Sequence, residues 1–264
     1  MTDIPTTQPQ YRTARRSRWL LRAASLLALA ALWEAYARQA RSLLLPTFSS
    51  TVLALSRLLI QPQTWRAAWL SNQALGLGFL LSAAAGVPLG LLLGRSARIS
   101  AFADLYLDTL LVPPMSPLLP LFILATGLGL TSRVLFIVAF SVVPIIINTK
   151  TGIRQVDPAL IDMARSFGAS EMQLWRKVLL PAALPEVVAG LQVALGRAIA
   201  GMVVVELLLT AVGFGRLILE AQADFDADVV YALIVIVACE ALLLMALVQR
   251  LQRRTGTRGT EAWA

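Results

Sequence analysis

The sequence predicts an all-α membrane protein with about six transmembrane helices, and three observations predict it. Of 264 residues, 58% are hydrophobic and only 14% charged, and the mean hydropathy is +0.72. A water-soluble domain of this length needs more polar surface than that to cover its core. Six apolar runs each approach the ~20 residues that a helix needs to cross a hydrocarbon layer of ~30 Å. Basic residues collect at the ends of those runs and divide unequally between alternate connections, as they do in chains oriented by a membrane.

The runs fall at 19–37, 73–94, 102–126, 132–149, 184–210 and 229–249. The first follows a basic lead and ends in Ala35-Tyr36-Ala37, which has the small-residue look of a cleavage site. Its lead is long, however, and the later runs need an orienting anchor, so an uncleaved signal-anchor helix is expected. The third run is interrupted by Pro113-Pro114-Met115-Ser116-Pro117. Proline removes a backbone donor and clashes with the preceding turn, so a broken or sharply kinked helix is expected there.

With the N-terminus inside, sixteen Lys and Arg residues lie at inner positions and six at outer ones: Arg38, Arg41, Arg57, Arg66, Arg133 and Arg216. Arg197 falls within a span. The asymmetry places both termini in the cytoplasm. The resulting division is a cytoplasmic tail over 1–18, a membrane domain over 19–250 and a second cytoplasmic tail over 251–264.

Between the first two runs, residues 42–71 begin Leu43-Leu44-Leu45-Pro46 and carry Val52, Leu55, Leu58 and Leu59 at helical spacing. That pattern suits a short amphipathic helix, either lying on the outer surface or packed on the bundle.

Composition also narrows the chemistry. Histidine is absent, which removes the commonest general base and metal ligand and argues against a metal-dependent intramembrane protease. The single cysteine, Cys239, lies in an apolar run and reads as a small buried hydrophobe. The formal charge is +8. Its arginines sit at the ends of apolar segments rather than along one soluble face, so they report topology and not nucleic-acid binding. No G-x-x-x-x-G-K-[ST] phosphate loop occurs.

The most informative segment is the connection over 157–181. Asp157 is placed to cap a short helix whose first turn holds Pro158. Gly168 follows about ten residues later, where a left-handed residue ends a helix. Ser170 with Gln173 forms a capping box for a second helix, and Pro181 is expected to end that helix before the chain returns to the bilayer. The first helix carries Leu160, Ala164 and Phe167 on one side, with Asp162 and Arg165 nearby. Two readings fit: a helix displayed for a partner protein, or one resting among lipid headgroups with Arg165, Arg176 and Lys177 on anionic lipid.

This stretch resembles the "EAA" motif of ATP-binding-cassette importer permeases, E-A-A-x-x-x-G followed after nine residues by I-x-L-P. Asp162 stands for the Glu, Met163 departs from the first Ala, Ala164 matches the second, Gly168 is the Gly, Val178 stands for the Ile, and Leu180-Pro181 closes the pattern. Further likeness lies in Leu45-Pro46, in Gly86-Val87-Pro88-Leu89-Gly90 with Gly94-Arg95-Ser96, and in Pro113-Pro114 before Leu119-Pro120-Leu121-Phe122. It continues in Asn148-Thr149, in 179–185 and in Ala194-Leu195-Gly196-Arg197-Ala198. Over roughly residues 40–250 the chain is similar to the branch importing sulfonates, taurine, nitrate and related small, mostly anionic nutrients.

The resemblance implies the type I ABC importer permease fold over 19–250, with 157–181 as a cytoplasmic coupling-helix loop. Leu160, Asp162, Met163, Ala164, Arg165, Phe167 and Gly168 would then meet the ATPase subunit. It also implies a bacterial inner-membrane complex of two permeases (a homodimer), an ATPase subunit pair and one external solute-binding protein. ATP and Mg would be bound by the partner ATPase, leaving no cofactor, metal or catalytic group in this chain.

Ionisable groups within spans are costly and therefore functional candidates. Glu34, Arg197, Glu206 and Glu240 qualify. Pro113, Pro114, Asn148, Arg197, Met202 and Glu206 are the translocation-pathway candidates. Arg197 reads as an attractor for an anion, or as one half of an internal ion pair or a snorkelled side chain. Glu206 would repel an anion, which favours a structural or gating role. Gly190, Gly196 and Gly201 permit close helix packing, within one chain or between two. The run Glu220…Asp224-Phe225-Asp226-Ala227-Asp228 reads as a docking surface for a binding protein or as a solvated acidic loop. An ion-coupled secondary transporter is the alternative; it predicts internal repeats and mid-bilayer carboxylates and leaves the organised 157–181 segment without a purpose.

Overall fold

A computed structural model of the chain describes residues 11–40, 42–111, 116–210 and 212–254, and among the described residues every regular element is helical. Helix α1 (Tyr11–Ala40) covers the first apolar run. Glu34 near its end accepts hydrogen bonds from the Ser49 backbone N–H at 3.0 Å and the Ser49 hydroxyl at 3.0 Å. It thus satisfies the open N-terminus of α2 (Phe48–Ile60), whose own N-cap is Thr47. Trp33 fixes the same corner by donating its indole N–H to the Pro46 carbonyl at 3.0 Å.

Residues 42–71 do not form one surface segment. Pro62 cannot continue α2 but suits a first helical turn, so the chain turns at Gln61 and α3 runs from Pro62 to Arg95. Of the residues expected to mark the apolar face of α2, Leu58 is buried while Val52 and Leu59 are exposed. The buried face is Thr51, Ala54 and Leu58, and α2 packs on the bundle.

The third run is described as two helices, with a 3-10 turn before the second. Helix α4 (Ala97–Leu111) precedes a 3-10 turn (Ser116–Leu118) and α5 (Leu119–Thr126); Pro113 and Pro114 lie outside the described residues. Helix α6 (Leu130–Arg154) follows, then the short α7 (Pro158–Ser166) and α8 (Glu171–Leu174). A π-helical turn (Trp175–Leu179) joins α8 to α9 (Leu180–Val205). A second π turn (Glu206–Thr210), α10 (Gly213–Ala223) and α11 (Ala227–Arg254) complete the order.

Pro181 does not end a helix. A proline ring collides with the carbonyl four residues back, here that of Lys177. In the π turn the Leu180 N–H bonds instead to the Trp175 carbonyl five residues back, widening the coil and relieving that collision. Among the described residues four helical stretches are long and apolar enough to cross a membrane: Pro62–Arg95, Leu130–Arg154, Glu171–Leu208 and Ala227–Arg250.

The core is set by two matching ridges. Gly78, Ser82, Gly86, Gly90 and Gly94 recur every four residues on α3, and Ile137, Ser141, Ile145, Thr149 and Ile153 do so on α6. Rows spaced by four interdigitate when two helices lie close. The contact is tight enough that a Cβ on Gly90 would stand 2.5 Å from Thr149 Cβ, and one on Gly94 2.6 Å from Ile153 Cβ. At the second rung the Ser82 and Ser141 hydroxyls bond to each other at 2.7 Å, so the only polar pair in the ladder satisfies itself.

Helix α9 closes the other side of α6. A Cβ on Gly190 would meet Asn148, and one on Gly201 would meet Phe140; one on Gly196 faces Met245 of α11. All three glycines therefore serve packing within the chain. Cys239 is exposed on α11 rather than buried: this helix is apolar around most of its circumference, so composition did not mark its inner face. Mid-helix Glu240 is partnered, accepting a hydrogen bond from Asn72 of α3.

Candidate functional site: a short helix held out from the bundle

Nine residues are too few for a stable helix alone, and α7 is held by its ends. The Asp157 carboxylate accepts the Ala159 N–H at 2.8 Å, and Pro158 occupies the first turn. At the other end Gly168 takes φ +76°. The Gly168 N–H reaches the Arg165 carbonyl at 2.9 Å and the Ala169 N–H the Ala164 carbonyl at 3.0 Å, the paired bonds of a Schellman ending. Two residues on, Ser170 and Gln173 exchange the two bonds of a capping box.

None of the α7 side chains is fully buried. Ile161 and Ala164 lean on a cluster of Ile153, Val156, Leu174, Leu179 and Ala183. The outward stripe is Leu160 (44% exposed), Met163 (53%) and Phe167 (85%), at the i, i+3, i+7 spacing of one helix face. Ala164, expected on that stripe, is turned toward the cluster, and Met163, the residue departing from the family pattern, fills its place.

Charges tie the pair of short helices to α3. Glu171 pairs with Arg95 at 2.6 Å and with Arg165 at 3.5 Å, and the Arg95 guanidinium lies 5.7 Å from the Trp175 ring centre. Asp162 is exposed and forms no ion pair among the described residues.

The pathway candidates scatter. Asn148 is half-buried beside Gly190 and donates to the Pro144 carbonyl at 2.8 Å. Arg197 is exposed on α9, on the face shared with Val193 and Ala200, and takes no ion-pair partner among the described residues. Met202 is enclosed by the α3–α6–α9 core. Glu206 is enclosed too, with Ser71 Oγ at 2.8 Å, the Gly215 N–H at 3.2 Å and Arg133 Nη1 at 3.5 Å.

Arg133 is not an outer loop charge: it is 5% exposed within α6, which leaves the outer set at five. Its partner is the carboxylate of Glu206, and residues so far apart in sequence give no local signal of pairing. The acidic loop is largely spent internally. Glu220 pairs with Arg216 at 2.6 Å, Asp226 accepts the Val229 N–H at 3.3 Å and Asp228 accepts the Ser50 hydroxyl at 2.7 Å. Among the described residues no cluster of three His, Cys, Asp or Glu side chains could hold a metal ion.

Residues 86–257 match the family model for the binding-protein-dependent transport system inner membrane component. The protein of Bacillus subtilis (strain 168) named SsuC, for aliphatic sulfonates transport permease, is 36% identical over 210 residues, covering 80% of this chain and 76% of that one. The taurine transport system permease protein TauC of Escherichia coli (strain K12) is 34% identical over 171 residues, covering 64% and 62%. Among solved structures, a chain of the MetNI methionine ABC transporter superposes with a TM-score of 0.59 at 22% identity, covering 75% of this chain and 95% of that one; this likeness concerns the fold. The ion-coupled alternative is set aside by these matches. The chain belongs to the binding-protein-dependent inner membrane components: it is a transmembrane permease subunit of an ATP-binding-cassette importer, a transport protein whose ATPase is a separate subunit.

Proposed function

We propose that the chain forms the membrane pathway of an importer for a small nutrient carrying an anionic group, of the sulfonate or taurine class, and that α7 is the handle its ATPase subunit grips. The observation that carries this reading is the Leu160–Met163–Phe167 stripe on a helix capped at both ends and tied through Glu171 to α3. A monomer gains nothing by holding an apolar face rigidly out from its core; a partner groove explains it. ATP and Mg belong to that partner. The names of the relatives support the substrate class, and so does Arg197, a cation on the open face of α9. Arg197 and Asn148 are the pathway residues of this reading.

The α7 end faces the cytoplasm, and the fold supports putting both termini there. Helix α1 ends beside α2 at the opposite end of the bundle, and α11 starts beside α2 through the Ser50–Asp228 bond. The working complex is two copies of this chain, two ATPase subunits and one external binding protein.

Co-purification tests the handle. The wild-type chain retains the ATPase subunit. Gly168→Asp, at a left-handed position where a side chain is strained, inserts in the membrane but loses the ATPase or its coupling. Normal ATP-driven uptake by Gly168→Asp would overturn the reading.

A further inference from the structure

From Glu171 to Leu208 the chain is one helical rod of 38 residues, about 57 Å at 1.5 Å per residue. One end is rooted beside the α7 handle, and Glu206 stands at the other. There the carboxylate is fully enclosed, at 0% exposure, where four elements meet.

Helix α10 lacks an N-cap side chain of its own, because Val212 precedes it. Its first N–H groups are met from outside. Gly215 donates to Glu206 Oε2 at 3.2 Å and Phe214 to Ser71 Oγ at 3.1 Å, while the Ser71 hydroxyl donates to Glu206 Oε2 at 2.8 Å. A negative group at a helix start is also favoured by the helix dipole. Arg133 of α6 donates to the Leu70 carbonyl at 3.2 Å and holds Nη1 3.5 Å from Glu206 Oε1.

The chain makes room for this. Gly213 takes φ +63°, and a Cβ there would fall on the Ser71 hydroxyl and the Glu206 carboxylate. A Cβ on Gly215 would lie 2.5 Å from Glu206 Cβ. Yet the clasp is loose on one side: apart from the 3.5 Å ion pair, Glu206 Oε1 and Arg133 Nε have no hydrogen-bond partner among the described residues. A buried ionic pair with unmet atoms is a poor cement, since apolar residues of similar size would hold as well or better. Its geometry suits a contact that closes and parts with small shifts of the rod tip.

We propose that Glu206 is a positioning residue for transport: its carboxylate clasps α10 and α6 to the tip of α9, so that displacement of the handle at the far end of the rod moves the opposite mouth of the pathway. This rests on the reading of α7 as the ATPase handle. The clasp is the element whose making and breaking both ends bias.

The test uses the complete complex of permease, ATPase subunits and binding protein in proteoliposomes, with taurine as the probe. Glu206→Gln keeps the side chain's size and its acceptor for the Gly215 N–H but removes the charge facing Arg133. Expected is an assembled complex whose ATP turnover is preserved while taurine taken up per ATP falls about tenfold, within the range of coupling between sites. Glu206→Gln with Arg133→Gln, which leaves no lone buried charge, assembles and shows the same loss. Ser71→Ala, which removes one of the bonds to the carboxylate, shows a smaller fall. Unchanged uptake per ATP in all three, or a parallel fall in uptake, turnover and assembly, would overturn the proposal. A wild-type complex whose ATPase does not bind the α7 stripe fails the handle reading instead, and that result is seen before any Glu206 variant is made.

Discussion

Replacing Phe167 by alanine separates a docking stripe from an ordinary surface helix. A Phe, Leu or Met side chain taken fully out of water is worth about 1.5–3 kcal/mol. Phe167 has 85% of its surface exposed, so nearly all of that is available to a partner and almost none is used within the chain. Phe167→Ala should therefore cost about 2 kcal/mol of ATPase association, roughly a 30-fold rise in Kd. Leu160 is already half covered, at 44% exposure. Leu160→Ala should cost about 1 kcal/mol, roughly fivefold. The permease alone should unfold at an unchanged temperature in the Phe167 variant. The assay is titration of detergent-solubilised permease with its ATPase subunit, beside thermal unfolding of the permease by itself. An unchanged Kd for Phe167→Ala, or a loss of intrinsic stability in that variant, would refute the assignment of the stripe to a partner.

Other outcomes follow from the same geometry. Gly90→Ala places a methyl 2.5 Å from Thr149 Cβ, whereas Gly76→Ala meets nothing within 4 Å. The first should lose about 1–3 kcal/mol to overpacking and the second gain up to about 1 kcal/mol in helix propensity, read as opposite shifts in Tm. Asp157→Ala removes the side-chain cap of α7 and should cost about 1 kcal/mol locally, seen as faster amide exchange over 159–161 with Tm nearly unchanged. Arg95→Gln breaks an ion pair whose partners are both substantially exposed; its effect on stability should stay below about 1 kcal/mol and vanish at high salt. Arg197→Gln should lower uptake of an anionic solute by about tenfold at subsaturating concentration while ATPase binding is retained, measured as initial rates in proteoliposomes.

What the sequence disclosed depended on how far apart the cooperating residues lie. Both ends of α7 and the start of α8 were legible because Asp157, Pro158, Gly168, Ser170 and Gln173 act on backbone groups within a few positions of themselves. Pro181 misled because its usual clash presumes an α-helical carbonyl four residues back, and the π turn at Trp175–Leu179 moves that carbonyl. The ladder was half visible: the small residues of α3 stand out, but the matching row on α6 is disguised among other β-branched residues, and only its period of four identifies it. The Glu206 clasp was not legible as an arrangement. Ser71 and Glu206 are 135 positions apart, and Arg133 looks like any basic residue flanking a span.

The two unusual turns bear on the mechanical role proposed for this chain. A helix resists bending, so a displacement at one end of α9 is conserved along its length, whereas an irregular connection would absorb it. Both π turns lie at the ends of that rod, at Trp175–Leu179 and Glu206–Thr210, and π turns concentrate at functional positions because they loosen the coil locally. The middle of α9, by contrast, is locked into α6 through Gly190 and Gly201, where no side chain could be inserted without displacement. Compliance at the ends with stiffness between them defines a lever. The proposed handle meets this rod at Glu171, whose two arginines come from α3 and α7. On the proposed coupling role of α7, its displacement is felt first by α8, which begins the rod, and only weakly by α3, because the Arg95–Glu171 pair is largely exposed.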